Sequence, residues 1–240
     1  MAPETIVLLH GFAGTRRSWD SVVEHLDRER YTPLALDLRG HGSASAARPV
    51  TLAAVVGDAL AAAPARFALA GYSMGGRVAL HVALAAPERV TRLVLLAATA
   101  GIAEAPDRAA RAHADEALAQ RIERGSIEDF ATHWMAQPLF EGTPTAAAAR
   151  WRDDIRRNTP MGIAAALRGL SQGVLAPVWD RLPELTMPVL VVAGERDAKY
   201  VDLAQRLTAA LPRGRTVIVP GAGHGLPREA PAAVARALTL

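Results

Sequence analysis

Uninterrupted apolar runs recur along the chain at Ile6-Val7-Leu8-Leu9, Leu34-Ala35-Leu36, residues 67–70, residues 93–96, Val189-Leu190-Val191-Val192 and Val217-Ile218-Val219. None alternates with polar residues. Each therefore reads as a strand buried on both faces rather than one with a wet side. Helical patterns fill the gaps between the early runs. Ser18 stands where a cap would open a helix through Val22, Val23 and Leu26, and Thr51 opens an alanine-rich helix to about residue 63. A further helix is expected over residues 77–85. Strand and helix in alternation predict a mostly parallel sheet flanked by helices.

The alternation stops near residue 102. From there to residue 177 the pattern is helical, charged and alanine-rich, with Trp134, Phe140 and Trp151 set into it and no strand signal. Strand–helix order returns at Val189, with helices expected near residues 201–211 and 231–238. The predicted organisation is one α/β core of residues 1–101 and 178–240, with residues 102–177 inserted as a helical cap over one end of the sheet.

Composition narrows this picture. The chain has 240 residues, half of them hydrophobic and 21% charged, as a soluble globular domain requires. It has no cysteine, which excludes disulfides, thiol chemistry and thiolate metal sites. No secretory signal is read at the N-terminus and no uncharged run is long enough to span a bilayer. The expected location is the cytoplasm, without membrane insertion. The formal charge is +3, and Lys199 is the only lysine. The arginines are interspersed with acids and form no basic run, which argues against nucleic acid as a partner. Arginine does suit planar recognition of carboxylates, because its fork donates two parallel hydrogen bonds. Monomer and homodimer both fit.

The candidate chemistry begins at Gly71-Tyr72-Ser73-Met74-Gly75, a G-x-S-x-G between a predicted strand and a predicted helix. A serine on so sharp a turn needs tiny residues two before and two after it, and the following helix N-terminus favours negative charge nearby. Ser73 needs a histidine to activate it and an acid to orient that histidine. His224 follows the last predicted strand in Gly221-Ala222-Gly223-His224-Gly225. Asp197 follows the preceding one in Gly194-Glu195-Arg196-Asp197, with Glu195 as its competitor. All three stand at carboxyl ends of strands, where parallel sheets gather their ligands. The loop His10-Gly11-Phe12 follows the first strand, so the N–H groups of Phe12 and Met74 are the candidate oxyanion donors. His25, His81, His113 and His133 read as helical surface or packing residues, and His41 as a loop residue that could line the pocket. No metal motif, P-loop or dinucleotide fingerprint is present, so no metal and no cofactor is expected.

These motifs resemble the α/β-hydrolase superfamily. Within it the chain resembles the synthases of menaquinone biosynthesis that form 2-succinyl-6-hydroxy-2,4-cyclohexadiene-1-carboxylate (SHCHC). The resemblance lies in Leu9-His10-Gly11-Phe12, in Gly71-Tyr72-Ser73-Met74-Gly75-Gly76-Arg77 and, most specifically, in Gly194-Glu195-Arg196-Asp197-Ala198-Lys199-Tyr200. Cap segments around Arg111, Arg121 and Phe130 to Phe140 add to it, as does Leu167-Arg168-Gly169-Leu170. The following Ser171-Gln172-Gly173 departs from it.

The resemblance implies a carbon–oxygen lyase that eliminates pyruvate from 2-succinyl-5-enolpyruvyl-6-hydroxy-3-cyclohexene-1-carboxylate without a cofactor. Ser73 would then be a general base activated by His224 and Asp197. It also implies cationic walls for a small-molecule polycarboxylate substrate: Arg77, Arg111 and either Arg156 or Arg157, with Trp134 and Tyr72 as further substrate contacts. Two other readings stay open: a carboxylic ester or lactone hydrolase with Ser73 as nucleophile, and a catalytically silent binding protein on the same fold.

Overall fold

The structure, a computed structural model, describes residues 2–240. In chain order it contains β1 (Glu4–Leu9), α1 (Asp20–Val23), β2 (Tyr31–Leu36), α2 (Leu52–Ala62), β3 (Phe67–Tyr72), α3 (Met74–Ala85) and β4 (Val90–Leu96). Four helices follow: α4 (Ala105–Arg124), α5 (Ile127–Met135), α6 (Thr145–Ile155) and α7 (Pro160–Leu170). The sheet then resumes with β5 (Val189–Gly194), α8 (Ala198–Ala210), β6 (Gly214–Val219), α9 (Leu226–Glu229) and α10 (Pro231–Leu238).

All six strands pair in parallel, in the order β2-β1-β3-β4-β5-β6. The central strands are apolar throughout because both of their faces are covered. All six residues of β3 are buried, as are the last four of β1. The edge strands β2 and β6 are only partly covered, and β2 accommodates Pro33, whose missing N–H would break a ladder in the sheet's interior. The strand order reverses beside β1, with β2 on one side and β3 on the other. A crevice therefore opens above the carboxyl ends of β1 and β3. The register brings Leu9, Leu36 and Gly71 level at that edge.

Two local expectations need correction. Ser18 caps no helix. Thr15 does, accepting from the Arg17 amide at the start of a 3₁₀ turn, and α1 is a single turn ending at Val23. Ser18 is buried instead and donates its hydroxyl to Asp154. His25 therefore lies in the turn after α1 rather than within a helix. Thr51 caps α2 as its sequence position suggests, accepting from the Ala54 amide. Among the described residues, no helix is long and apolar enough to cross a membrane.

Candidate active site

Ser73 sits between β3 and α3 with φ 52° and ψ −109°, a left-handed backbone that a side-chain-bearing residue adopts only under constraint. Its amide is held by the Leu96 carbonyl at 2.8 Å. Glycine on both sides makes the turn possible. A Cβ on Gly71 would stand 2.7 Å from Gly76 Cα, and one on Gly75 would run into the Leu9 and His10 carbonyls. The turn lifts the Ser73 hydroxyl off the sheet edge and points α3's first amides at the space beside it.

His224 and Asp197 arrive at the same edge from β6 and β5. Ser73 Oγ lies 3.2 Å from His224 Nε2, and His224 Nδ1 lies 2.6 Å from Asp197 Oδ2. With Nδ1–H donating to the carboxylate, Nε2 is free to accept the serine proton. Both His224 and Asp197 are buried. Asp197 also accepts from the Tyr200 amide and so caps α8, which fixes its carboxylate. Glu195, the competitor, turns away and accepts from the Gly221 amide at 2.8 Å. The histidine loop has a clamp that sequence reading missed. Glu229 accepts from the amides of Gly223 and Gly225, on either side of His224, and is paired with Arg196 at 2.6 Å.

The amides of Phe12 and Met74 donate to no backbone or side-chain acceptor among the described residues. The peptide group that carries the Phe12 N–H is held from its other end. The Gly11 carbonyl accepts from His10 Nδ1 at 2.8 Å and from the Gly14 amide at 3.1 Å. His10 Nε2 in turn accepts from the Leu38 amide, so the ring is neutral and its tautomer defined. His41 lies beside it, ring centroids 4.8 Å apart, and accepts from the Ala13 amide. Burial lowers the pKa of both imidazoles, His41 to about 3. His41 thus braces the loop that carries the Phe12 N–H and does not line the cavity.

A cavity of about 170 Å³ opens above Ser73. Phe12, Met74, Arg77, Arg111, Trp134 and His224 line it, together with Tyr200, Lys199, Gln137 and Gln172. It shares Arg111, Asp115, Trp134 and Gln137 with a cleft of about 520 Å³ between α4 and α5. Arg77 is buried, and burial lowers its pKa to about 10, which leaves it cationic at neutral pH. Its Nη2 donates to the Leu170 carbonyl at 3.1 Å, its Nε has no partner, and no carboxylate pairs with it among the described residues. Arg111 reaches the same cavity but is paired with Asp115 at 2.7 Å. Trp134 closes the roof by an edge contact with Phe12, centroids 5.1 Å apart.

The structure separates two predicted substrate contacts from this cavity. Tyr72 is the last residue of β3, and its ring packs behind the site against Gly11, Trp151 and His224. Tyr200 occupies the cavity wall in its place, 4.6 Å from the His224 ring. Arg156 points to the outer face of α6, where Glu128 and Asp153 bind it at 2.8 and 3.0 Å. Arg157 lines a different hollow, near Arg17 and Arg228. Arg168 is likewise taken up by Glu116 and Glu123. An arginine's sequence position says nothing of the acids that fold beside it.

Comparison with known proteins agrees with this layout. Residues 6–237 match the model of the alpha/beta hydrolase family. A protein of Bacillus subtilis (strain 168), provisionally named 2-succinyl-6-hydroxy-2,4-cyclohexadiene-1-carboxylate synthase, is 36% identical over 96% of this chain and 87% of its own. The synthase of the same name from Enterobacter sp. (strain 638) is 32% identical over 97% of this chain and 89% of its own. The solved structure of MenH from S. aureus superposes with a TM-score of 0.91 at 27% identity, covering 98% of this chain and 92% of that one.

Proposed function

The chain belongs to the alpha/beta hydrolase family and has its fold, and on that footing we propose that it is an SHCHC synthase, a carbon–oxygen lyase of menaquinone biosynthesis. The observation that carries the reading is Arg77: a buried cation without a carboxylate partner, opening onto the cavity above Ser73. Burying an unpaired charge is costly, so a pocket for neutral esters would gain nothing from it. A substrate that brings its own carboxylates completes it.

In this mechanism His224 Nε2 accepts the Ser73 proton and Asp197 stabilises the imidazolium that forms. Ser73 Oγ then takes a ring proton from 2-succinyl-5-enolpyruvyl-6-hydroxy-3-cyclohexene-1-carboxylate. The C–H electrons form a ring double bond at the succinyl-bearing carbon, and the existing ring double bond shifts one position toward the ether carbon. The ring C–O bond breaks with its electron pair leaving on the enolpyruvyl oxygen, and the departing enolate takes up a proton to become pyruvate. Charge developing on the succinyl carbonyl is received by the Phe12 and Met74 amides. Arg77 and Arg111 hold the substrate's carboxylates, Trp134 and Tyr200 pack on it, and residues 102–177 act as the cap.

The test is a direct assay of pyruvate release from that intermediate, run beside cleavage of a short-chain aryl ester. Pyruvate release much faster than ester cleavage is the expected result. Rapid ester cleavage without pyruvate would replace the lyase by a hydrolase with Ser73 as nucleophile.

A further inference from the structure

The peptide groups from Gly11 to Thr15 are all restrained, and two of the restraints come from the end of α6. The Gly11 carbonyl is held by His10 and by the Gly14 amide, and the Ala13 amide by His41. The Ala13 carbonyl accepts from Asn158 Nδ2 at 2.9 Å, and the Thr15 amide donates to Asp154 Oδ2 at 3.0 Å. Ala13 itself is in the left-handed region at φ 60°, a conformation that needs support from both sides.

Asn158 lies in the turn after α6 and is buried. Its Oδ1 accepts from the Gly42 amide at 2.9 Å, which fixes which end of the amide donates to Ala13. Asp154, one turn earlier, also accepts from the hydroxyls of Thr15 and Ser18 and from the guanidinium of Arg228. Arg228 follows His224 by four residues, so this one acid ties the oxyanion loop to the histidine loop.

We propose that Asn158 is a positioning residue for the oxyanion donor, acting on the Phe12 N–H through two peptide groups. Its hydrogen bond orients the Ala13–Gly14 peptide. The N–H of that peptide holds the Gly11 carbonyl, and the Gly11–Phe12 peptide carries the donor on its opposite edge. The end of α6 is therefore part of the catalytic framework, whatever the rest of the inserted helices do. The proposal rests on the assignment of Ser73 and Phe12 made above, and not on the identity of the natural substrate.

The experiment measures the rate at which a small alkyl fluorophosphonate modifies Ser73, followed by mass spectrometry. This reaction needs the serine, its base and the oxyanion donors but no carboxylate recognition. Wild type is compared with Asn158→Ala, Asn158→Asp and Val55→Ala, each at a temperature where circular dichroism shows it folded. Val55 is buried in α2, away from the loop, and controls for lost stability.

Both Asn158 variants should react about tenfold or more slowly, with Val55→Ala within about twofold of wild type. In the pyruvate assay kcat should fall by the same factor while KM stays within about threefold. Asn158→Asp keeps the acceptor for Gly42 and loses the donor to Ala13. Wild-type reactivity in that variant would overturn the relay, as would slowing no greater than in Val55→Ala. A wild type that is phosphonylated but releases no pyruvate removes the lyase reading and leaves this proposal standing. A wild type that is not phosphonylated removes the Ser73 assignment and the proposal with it.

Discussion

Arg77 and Arg111 line the same cavity, and their surroundings differ. Arg77 rises from the first turn of α3 and is buried, with one hydrogen bond to the Leu170 carbonyl at the end of α7. A cation near a helix N-terminus is in an unfavourable field, which sharpens its need for an anion. Arg111 stands on α4, half-exposed, already paired with an acid four residues along. Arg156, at the end of α6, and Arg168, on α7, also carry their own acids. At this cavity α3 presents a cation without a carboxylate partner and α4 presents a paired one. An unmatched buried charge selects a ligand, whereas a matched surface pair mainly shapes the wall.

The largest expected effect lies on the core side. Ser73→Ala and His224→Ala should each lower kcat by about 100-fold or more, since the two act as one unit. Near-wild-type turnover in Ser73→Ala would end the mechanism. Next comes the charge itself. Arg77→Met should raise KM for the polycarboxylate substrate, costing about 10- to 100-fold in kcat/KM, the scale of a charge-assisted hydrogen bond. Cleavage of a neutral aryl ester should barely change. Equal losses on both substrates would show that Arg77 serves packing rather than recognition.

This contrast also marks where the sequence was legible. Ser73, His224 and Asp197 could be singled out because a strained turn demands Gly71 and Gly75, and because strand ends carry the other two to one edge. Strand burial was readable from uninterrupted apolar runs such as Ile6-Val7-Leu8-Leu9. Side-chain direction and partnership were not. Tyr72 adjoins the serine in sequence, yet the end of β3 turns its ring behind the site. Arg156 has the right chemistry and the wrong neighbours, Glu128 and Asp153. Asn158 matches no motif at all, since its contacts with Ala13 and Gly42 span more than a hundred residues of chain.

The core side depends on two buried neutral imidazoles that the inserted helices lack, so acid should loosen it first. The folded-state pKa of His41 is lowered by burial to about 3, and that of His10 is lowered for the same reason. In the unfolded chain an imidazole takes up its proton near 6.5. Between those limits the unfolded state binds more protons, so stability rises with pH and is lost as pH falls below about 6.5. His41 alone should remove about 2 kcal/mol by pH 5. Urea unfolding at pH 7 and pH 5 measures it. His41→Gln should be less stable at pH 7 but flatter across the interval, and an unchanged slope would place the acid sensitivity elsewhere.

The smallest expected effect tests the inserted side. The Asp115 carboxylate lines the cavity above Ser73 as well as pairing with Arg111, so it both neutralises that cation and repels an incoming anion. Asp115→Asn should therefore lower KM for the polycarboxylate substrate about two- to fivefold, the scale of a helix ion pair whose cation is half-exposed, with kcat unchanged. The gain should shrink as ionic strength rises, because the charges involved are partly in water. A rise in KM would mean instead that Asp115 orients Arg111 for the substrate. The paired cation of the insertion would then serve recognition no less than the bare one of the core, and the difference between the two walls would lie only in when each charge meets its partner.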